Sequence, residues 1–256
     1  MSLSPSFLIF DTVESTNDTA KRLAVSDPDF AETIIWAKAQ TKGRGRYGRE
    51  WASLEGNLYF SILLRPEPII ANPLQLSLLS GLAIKRVLSR TMPAETLLHL
   101  KWPNDVLINK KKAGGILIES GTKGCRLQWV VVGIGVNIRN HPSNTSFPAT
   151  SLNTEGFQQI EERSLILAIF EELKLLLTAC KDQQFAVLRQ NWLDSAYKIG
   201  EMVTVSTEKQ SISGIFKGID ENGAMIMEMK DGSTHVFNAG EIFPADNEED
   251  AYAACS

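Results

Sequence analysis

The stretch Gly43-Arg44-Gly45-Arg46-Tyr47-Gly48-Arg49-Glu50-Trp51 interleaves glycines with arginines and closes on an aromatic. Glycine lets the backbone approach an anion closely, and a guanidinium binds phosphate or carboxylate through two parallel donors at any working pH. The segment reads as a phosphate-handling loop. It also satisfies G-x-G-x-x-G, with the apolar run 33–39 before it as a strand would be. A dinucleotide-binding unit is nevertheless excluded: residues 51–57 carry turn chemistry and 58–64 read as another strand, so no helix start follows to receive a pyrophosphate. A disordered arginine–glycine tract is excluded too, because the pattern does not recur and its surroundings are not low in complexity.

A second stretch with chemistry is Lys101-Trp102-Pro103-Asn104-Asp105, followed by Lys110-Lys111-Lys112-Ala113-Gly114-Gly115-Ile116-Leu117-Ile118-Glu119. Pro103 breaks the apolar run before it, and Asn104-Asp105 supplies turn residues that place short polar groups at a strand end. Lys110 and Lys111 read as solvated lysines of a hairpin tip. Lys112 differs, because Ala113-Gly114-Gly115 removes side-chain bulk beside it and lets a ligand lie on the backbone.

Taken in order, these motifs resemble those of the biotin protein ligases. The likeness extends to Glu14-Ser15-Thr16-Asn17, to Gly133-Ile134-Gly135-Val136-Asn137 and to Phe237-Asn238-Ala239-Gly240-Glu241-Ile242, and so covers nearly the whole chain. The resemblance implies an α/β (α+β) catalytic domain with a mixed central sheet, related to class II synthetase-like folds, over residues 1–195. A small C-terminal SH3-like β-barrel is implied over 196–256. It further implies a two-step reaction: the biotin carboxylate attacks the α-phosphate of Mg²⁺-bound ATP to give biotinyl-5′-AMP and pyrophosphate, and a lysine of a biotin carboxyl carrier protein then attacks the mixed anhydride.

Under this resemblance Lys112 is the catalytic lysine, and Arg44 and Arg46 clamp the phosphate and carboxylate. Ser15, Thr16, Gln40, Gly43, Gly114 and Gly115 contact biotin. Gly45, Trp51, Asn104 and Asn137 serve the nucleotide with the two arginines. Lys101 and Asn104 line the phosphate and acceptor side, where Asp105 positions the acceptor lysine. No protein ligand for Mg²⁺ is assigned. Several of these residues have plainer readings that stay open at this level: Ser15 and Thr16 as helix caps, Trp51 as simple burial, Asn137 as a self-bonded strand end, and Asp105 as a turn residue. A lipoate ligase or octanoyltransferase of related fold is the competing enzyme class, and a noncatalytic biotin- or nucleotide-binding module the competing non-enzyme. Family members pair through their sheets, so a homodimer is permitted. Only residues 1–6 precede the first strand, so no DNA-binding domain and a monofunctional ligase are expected.

Composition agrees with an intracellular enzyme. A formal net charge of -4 over 256 residues argues against nucleic acid as the main partner. Cys125, Cys180 and Cys255 are too few and scattered for a disulfide framework, and His99, His141 and His235 lack metal-ligand spacing. No signal segment or membrane-length apolar run is present, so a cytoplasmic protein is expected.

The elements that must position these groups follow from periodicity. Residues 7–10, 33–39, 58–64, 97–102, 106–109, 115–120 and 128–136 read as strands. Helices are expected at 15–25, at 73–89 with Pro73 at its start, and at 160–180 and 183–192. A polar loop over 140–156 separates the groups. Beyond Gly200 the period changes to two, and 203–206, 212–219, 224–229 and 234–237 read as short strands with hairpin turns at Asn222-Gly223 and Asp231-Gly232.

Overall fold

The computed structural model describes residues 5–27, 32–65, 72–93, 95–124, 126–157, 160–183, 185–208 and 210–245. Cys125, Cys255 and the end of the expected C-terminal unit lie outside them. The chain runs β1 (Ser6–Val13), α1 (Thr16–Ser26), β2 (Thr33–Gln40), β3 (Leu58–Leu64), α2 (Pro73–Leu88), β4 (Leu98–Lys101), β5 (Asp105–Ile108), β6 (Lys111–Lys123) and β7 (Arg126–Val136). It continues with α3 (Glu162–Gln183), α4 (Phe185–Leu193) and β8 (Met202–Ser206). The last strands are β9 (Ser211–Ile219), β10 (Met225–Glu228), β11 (Thr234–Phe237) and β12 (Glu241–Pro244).

The first seven strands form one mixed sheet in the order β1-β2-β3-β7-β6-β5-β4, with β1 parallel to β2 and the other pairs antiparallel. Both faces of its centre are covered, which is why β3 is buried along its whole length. Leu63 of β3 and Val131 of β7 meet Ala20 and Ala24 of α1 on one face, while Phe60, Ile62, Val132 and Ile134 meet the α2–α3 layer on the other. Past Leu63 and Val131 the α1 face turns polar and small, through Ser61, Gly133 and Gly135. A cleft opens there because these strand positions carry no large side chain of their own.

Helix α2 begins where its sequence says it should. Asn72 Oδ1 accepts from the Leu74 and Gln75 amides, Pro73 occupies the first turn, and the apolar repeat then buries most of the helix.

The second sheet is antiparallel, in the order β11-β10-β9-β8-β12. Among the described residues its edges β11 and β12 do not pair, so it is an open sheet and not the closed barrel expected. Strand β12 was not foreseen: it has four residues, ends in proline, and carries one fully buried side chain, Ile242. The two sheets share one apolar core, since Val203, Phe216, Met225 and Ile242 belong to the same cluster as the α2–α3 layer. Trp102, itself fully buried, donates from Nε1 to the Gly223 carbonyl at 3.0 Å, and Asn72 and Gln75 bind the Asn222 and Glu221 carbonyls of the same turn.

A shared core should unfold in one transition. Trp102→Phe removes the indole N–H and part of the ring, stranding a buried carbonyl, so a loss of about 1–3 kcal/mol or more is expected, with both sheets melting together in urea. Separate transitions for the two sheets would contradict the shared core.

Candidate active site

Strand alternation alone would hide Lys112. On β6, Gly115 and Glu119 face the α1 side, so strict two-residue alternation would put Lys112 on the opposite face. The β5–β6 pairing shifts between Val106 and Leu107, where Val106 opposes Gly114 and Leu107 opposes Lys112. Ala113 is the extra residue of this bulge, and it is absorbed into the core. The slip turns Lys112 onto the cleft side. Its backbone is held there by the 140–156 loop, with Lys112 N donating to Pro148 O at 2.7 Å and Thr150 N to Lys112 O at 2.9 Å. Asn109 and Lys110, both at positive φ, form the hairpin turn, and Lys110 and Lys111 are exposed as expected.

Lys112 Nζ lies 2.7 Å from Asp105 Oδ1, and the other oxygen of Asp105 lies 3.1 Å from Lys101 Nζ. Burial pushes the Asp105 carboxyl upward, but Lys112 and Lys101 together hold it below its ordinary value. Asp105 is therefore an ionised carboxylate bridging two cations. Asn104 Nδ2 donates to Ile116 O at 2.8 Å, which fixes the side chain at the cleft wall. Lys101 does not line the cleft; it is fully buried behind Asp105.

The cleft, of about 460 Å³, is floored by paired glycines. Gly115 of β6 lies opposite Gly135 of β7, and the indole of Trp51 rests on both. A Cβ at Gly135 would stand 2.6 Å from Trp51 Cε2, and one at Gly115 2.8 Å from Cζ3. Lys112 Nζ sits 5.4 Å from the Trp51 ring centroid. Gly114 was expected beside the ligand but points to the other face, towards Val106 and Val136, and does not line the cleft. Gly43 does not line it either. It is the tight base of the arginine loop, where a Cβ would meet Ser53 Oγ at 2.5 Å and Trp51 O at 2.7 Å.

That loop is a small hairpin, closed by Trp51 N to Gly43 O at 2.9 Å and Gly45 N to Arg49 O at 2.7 Å, with Tyr47 and Gly48 at positive φ near its tip. Its arginines are engaged individually. Arg44 bonds Asp18 Oδ1 at 2.7 Å and Glu119 Oε2 at 3.0 Å, and its hydrogen bonds hold the Asp18 carboxyl well below the usual range. Arg46 donates to Gly240 O at 3.0 Å, and Arg49 pairs with Glu241. The second sheet thus forms one wall of the site.

The N-terminus of α1 closes the far end. Ser15 holds the cap position, yet its side chain makes no cap bond; Gln40 Oε1 caps the helix instead, accepting from Thr16 N at 2.8 Å and Thr16 Oγ1 at 3.2 Å. Ser15 is freed from the capping role read for it. Ser61 Oγ lies 2.8 Å from Thr16 Oγ1 and 2.6 Å from Asn17 Oδ1, and Asn17 Nδ2 reaches Glu119 Oε2 at 2.8 Å. Asn137 is buried, with Nδ2 donating to Thr150 O at 3.0 Å and not to its own backbone.

Ser15, Thr16, Gln40, Arg44, Gly45, Arg46, Trp51, Asn104, Asp105, Lys112, Gly115 and Asn137 all line this one cleft. The roles of Asn17, Asp18, Ser61 and Gly133 were missed. Gly133 stood in a quoted motif, and its missing Cβ makes room for the Asn17 amide, but Ser61 carries no signal in a strand of large apolar residues.

Residues 9–137 match the model of the Biotin/lipoate A/B protein ligase family, and residues 198–243 match the Biotin protein ligase C terminal domain. The chain is 34% identical over 236 residues to the biotin–[acetyl-CoA-carboxylase] ligase of Paracoccus denitrificans, covering 90% of this chain and 97% of that one. It is 32% identical to the bifunctional ligase/repressor BirA of Bacillus subtilis, covering 90% of this chain and 71% of the relative. Among solved structures, the biotin protein ligase from Aquifex aeolicus in complex with biotin and ATP superposes with a TM-score of 0.79 at 31% identity, over 93% of this chain and 97% of that one.

Because Trp51 fills the space left by the missing Cβ atoms, Gly135→Ala should lift the indole from the floor. A destabilisation of about 1–3 kcal/mol and a shifted tryptophan emission are expected. Unchanged emission and stability would mean that the indole does not rest on the glycines.

Proposed function

The chain belongs to the Biotin/lipoate A/B protein ligase family, and on that premise we propose how its cleft works. The enzyme joins biotin to a lysine of an acceptor protein at the expense of ATP. The observation that carries the reading is the bulge that delivers Lys112 into the same cleft as the arginine loop and the N-terminus of α1.

Attack of a carboxylate on a polyphosphate brings two anions together, so the site must supply fixed positive charge aimed at the reacting oxygens. Lys112 and Arg46 are the groups for this. Arg44, already bonded to Asp18 and Glu119, acts from the base of the loop and clamps with less freedom. Ser15, Thr16 and Gln40 offer hydroxyl and amide groups to the polar ends of biotin, and the floor at Gly115 and Gly135 accepts its apolar body once the Trp51 indole has swung off it. Trp51 covers the ligand, and Asn104 and Asn137 serve the nucleotide. Closing the arginine loop keeps water from the mixed anhydride.

Asp105 holds Lys112 until substrate binds, and afterwards positions the acceptor lysine. The acceptor is a biotin carboxyl carrier protein, a reading supported by the names of the relatives. Among the described residues no three His, Cys, Asp or Glu side chains gather into a metal site, and the Asp105 carboxylate is taken by two lysines. Mg²⁺ is therefore assigned to the phosphates of ATP and not to a protein cage. No helix among the described residues is long and apolar enough to cross a membrane, and an ATP-consuming reaction on a carrier protein is assigned to the cytoplasm.

The test is ATP–pyrophosphate exchange. It should depend on biotin and not on lipoate or octanoate, and Lys112→Ala should lower it by about 10²–10³-fold in a folded protein. Exchange driven by lipoate would assign the other branch of the family, and near-normal exchange in the variant would remove Lys112 from catalysis.

A further inference from the structure

Lys101 is an anomaly. Its side chain is fully buried and is not part of the cleft lining, although it packs behind residues that are. A buried ammonium costs several kcal/mol unless it is paired, and even a paired one seldom stabilises more than a well-packed apolar side chain would. Stability alone gives little reason to keep it.

Its partners suggest another reason. Lys101 Nζ lies 3.1 Å from Asp105 Oδ2, 3.3 Å from Glu241 Oε1 and 3.3 Å from the Ile242 carbonyl, with the rings of Phe147 and Phe243 at 4.6 and 5.5 Å. Each carboxylate in this group divides its two oxygens between two cations. Glu241 gives Oε1 to Lys101 and Oε2 to Arg49 of the arginine loop. Asp105 gives Oδ2 to Lys101 and Oδ1 to Lys112. The result is an alternating chain, Arg49–Glu241–Lys101–Asp105–Lys112, that runs from the loop through the second sheet to the reacting lysine. Lys101 and Asp105 are also direct cross-strand partners in the β4–β5 hairpin, so their separation is set by the backbone.

We propose that Lys101 is a positioning residue. Anchored by Glu241 and the Ile242 carbonyl of β12, it occupies one oxygen of Asp105, so that the other is aimed at Lys112. It thereby makes the alignment of Lys112 depend on the seating of the second sheet. The proposal rests on the reading of Lys112 as the reacting lysine.

The charged groups facing Asp105 are Lys112 on β6 and Lys101 on β4, with Glu241 on β12 behind Lys101. Removing Lys101 leaves the buried carboxylate with one cation, and loss of a neighbouring opposite charge moves the Asp105 pKa upward. A carboxylate with a depressed pKa stays ionised until pH falls through that low value. Raising the pKa therefore lets protonation set in at a higher pH than in the unaltered protein. Lys101→Met, less stable because a buried carboxylate loses a partner, should lose exchange turnover at a higher pH than the unaltered protein as pH falls, and the loss should fall on kcat more than on KM for biotin.

A folded Lys101→Met with the pH profile and kcat of the unaltered protein would overturn the proposal. If that variant does not fold, Glu241→Gln takes its place, because it removes an anchor of Lys101 while leaving Asp105 and Lys112 intact. A fall in kcat of about tenfold or more supports the proposal, as expected for a misaligned reacting group, and an unchanged kcat overturns it. Absence of exchange in the unaltered protein would remove the functional reading and the proposal with it. Exchange in the unaltered protein beside an unshifted variant would remove the proposal alone.

Discussion

A β-strand shows alternate residues to opposite faces, and this site exists because one strand breaks that rule at one residue. Ala113 steps out of the β5–β6 pairing into the core, and every residue before it on β6 changes sides. Lys112 then shares a face with Gly115 and Glu119. The same face of the neighbouring strand carries Gly133 and Gly135, so the sheet offers a cation beside a floor without side chains. An aromatic ring can approach such a floor closely, and Trp51 does. With an unbroken register the glycines would line a cleft with no lysine in it.

The second constraint is charge balance. The cleft gathers Arg44, Arg46, Arg49 and Lys112 in a chain whose net charge is -4, and like charges so close would repel. The structure sets a carboxylate against most of them: Asp18 and Glu119 against Arg44, Glu241 against Arg49, Asp105 against Lys112. Arginines that repel one another until an anion arrives, as composition alone would suggest, are not what is found. Anionic substrates must instead compete with partners already in place. Arg46 is bonded to a backbone carbonyl and not to a carboxylate, which makes it the cation most readily turned towards a phosphate.

Most of the elements were legible because their causes are local. Pro73 after Asn72 starts α2, the run at Leu58–Leu64 is buried on both faces, and the glycine turns of the second sheet lie where the period changes. The motifs also marked the residues that meet in the cleft. What was not legible depends on partners distant in sequence. Gln40 caps α1 from 24 residues away, which no local capping pattern encodes. The bulge at Ala113 leaves no composition signal, and Gly114 and Gly115 look alike in sequence although only one faces the cleft. Lys101 read as a cleft residue because its neighbours Asn104 and Asp105 are; its burial is decided by Phe147, Phe243 and Glu241, which come from later in the chain.

These distant partners bear on how the two sheets work together. The arginine loop is tied to the second sheet twice, through Arg46 to the Gly240 carbonyl and Arg49 to Glu241, and the first sheet is tied to it through Trp102 and Lys101. The second sheet therefore touches the loop and the strand hairpin behind Lys112 with adjacent residues of one strand, β12. A ligand that pulls Arg46 or Arg49 inward changes what Gly240 and Glu241 are bonded to, and a shift of β12 changes what holds Lys101. Coupling of this kind is reciprocal: whatever the seating of β12 contributes to closing the loop, closure returns to the seating of β12. A shared apolar core makes the link stiff, since neither sheet can move far without exposing Ile242, Phe216 or the face of α2.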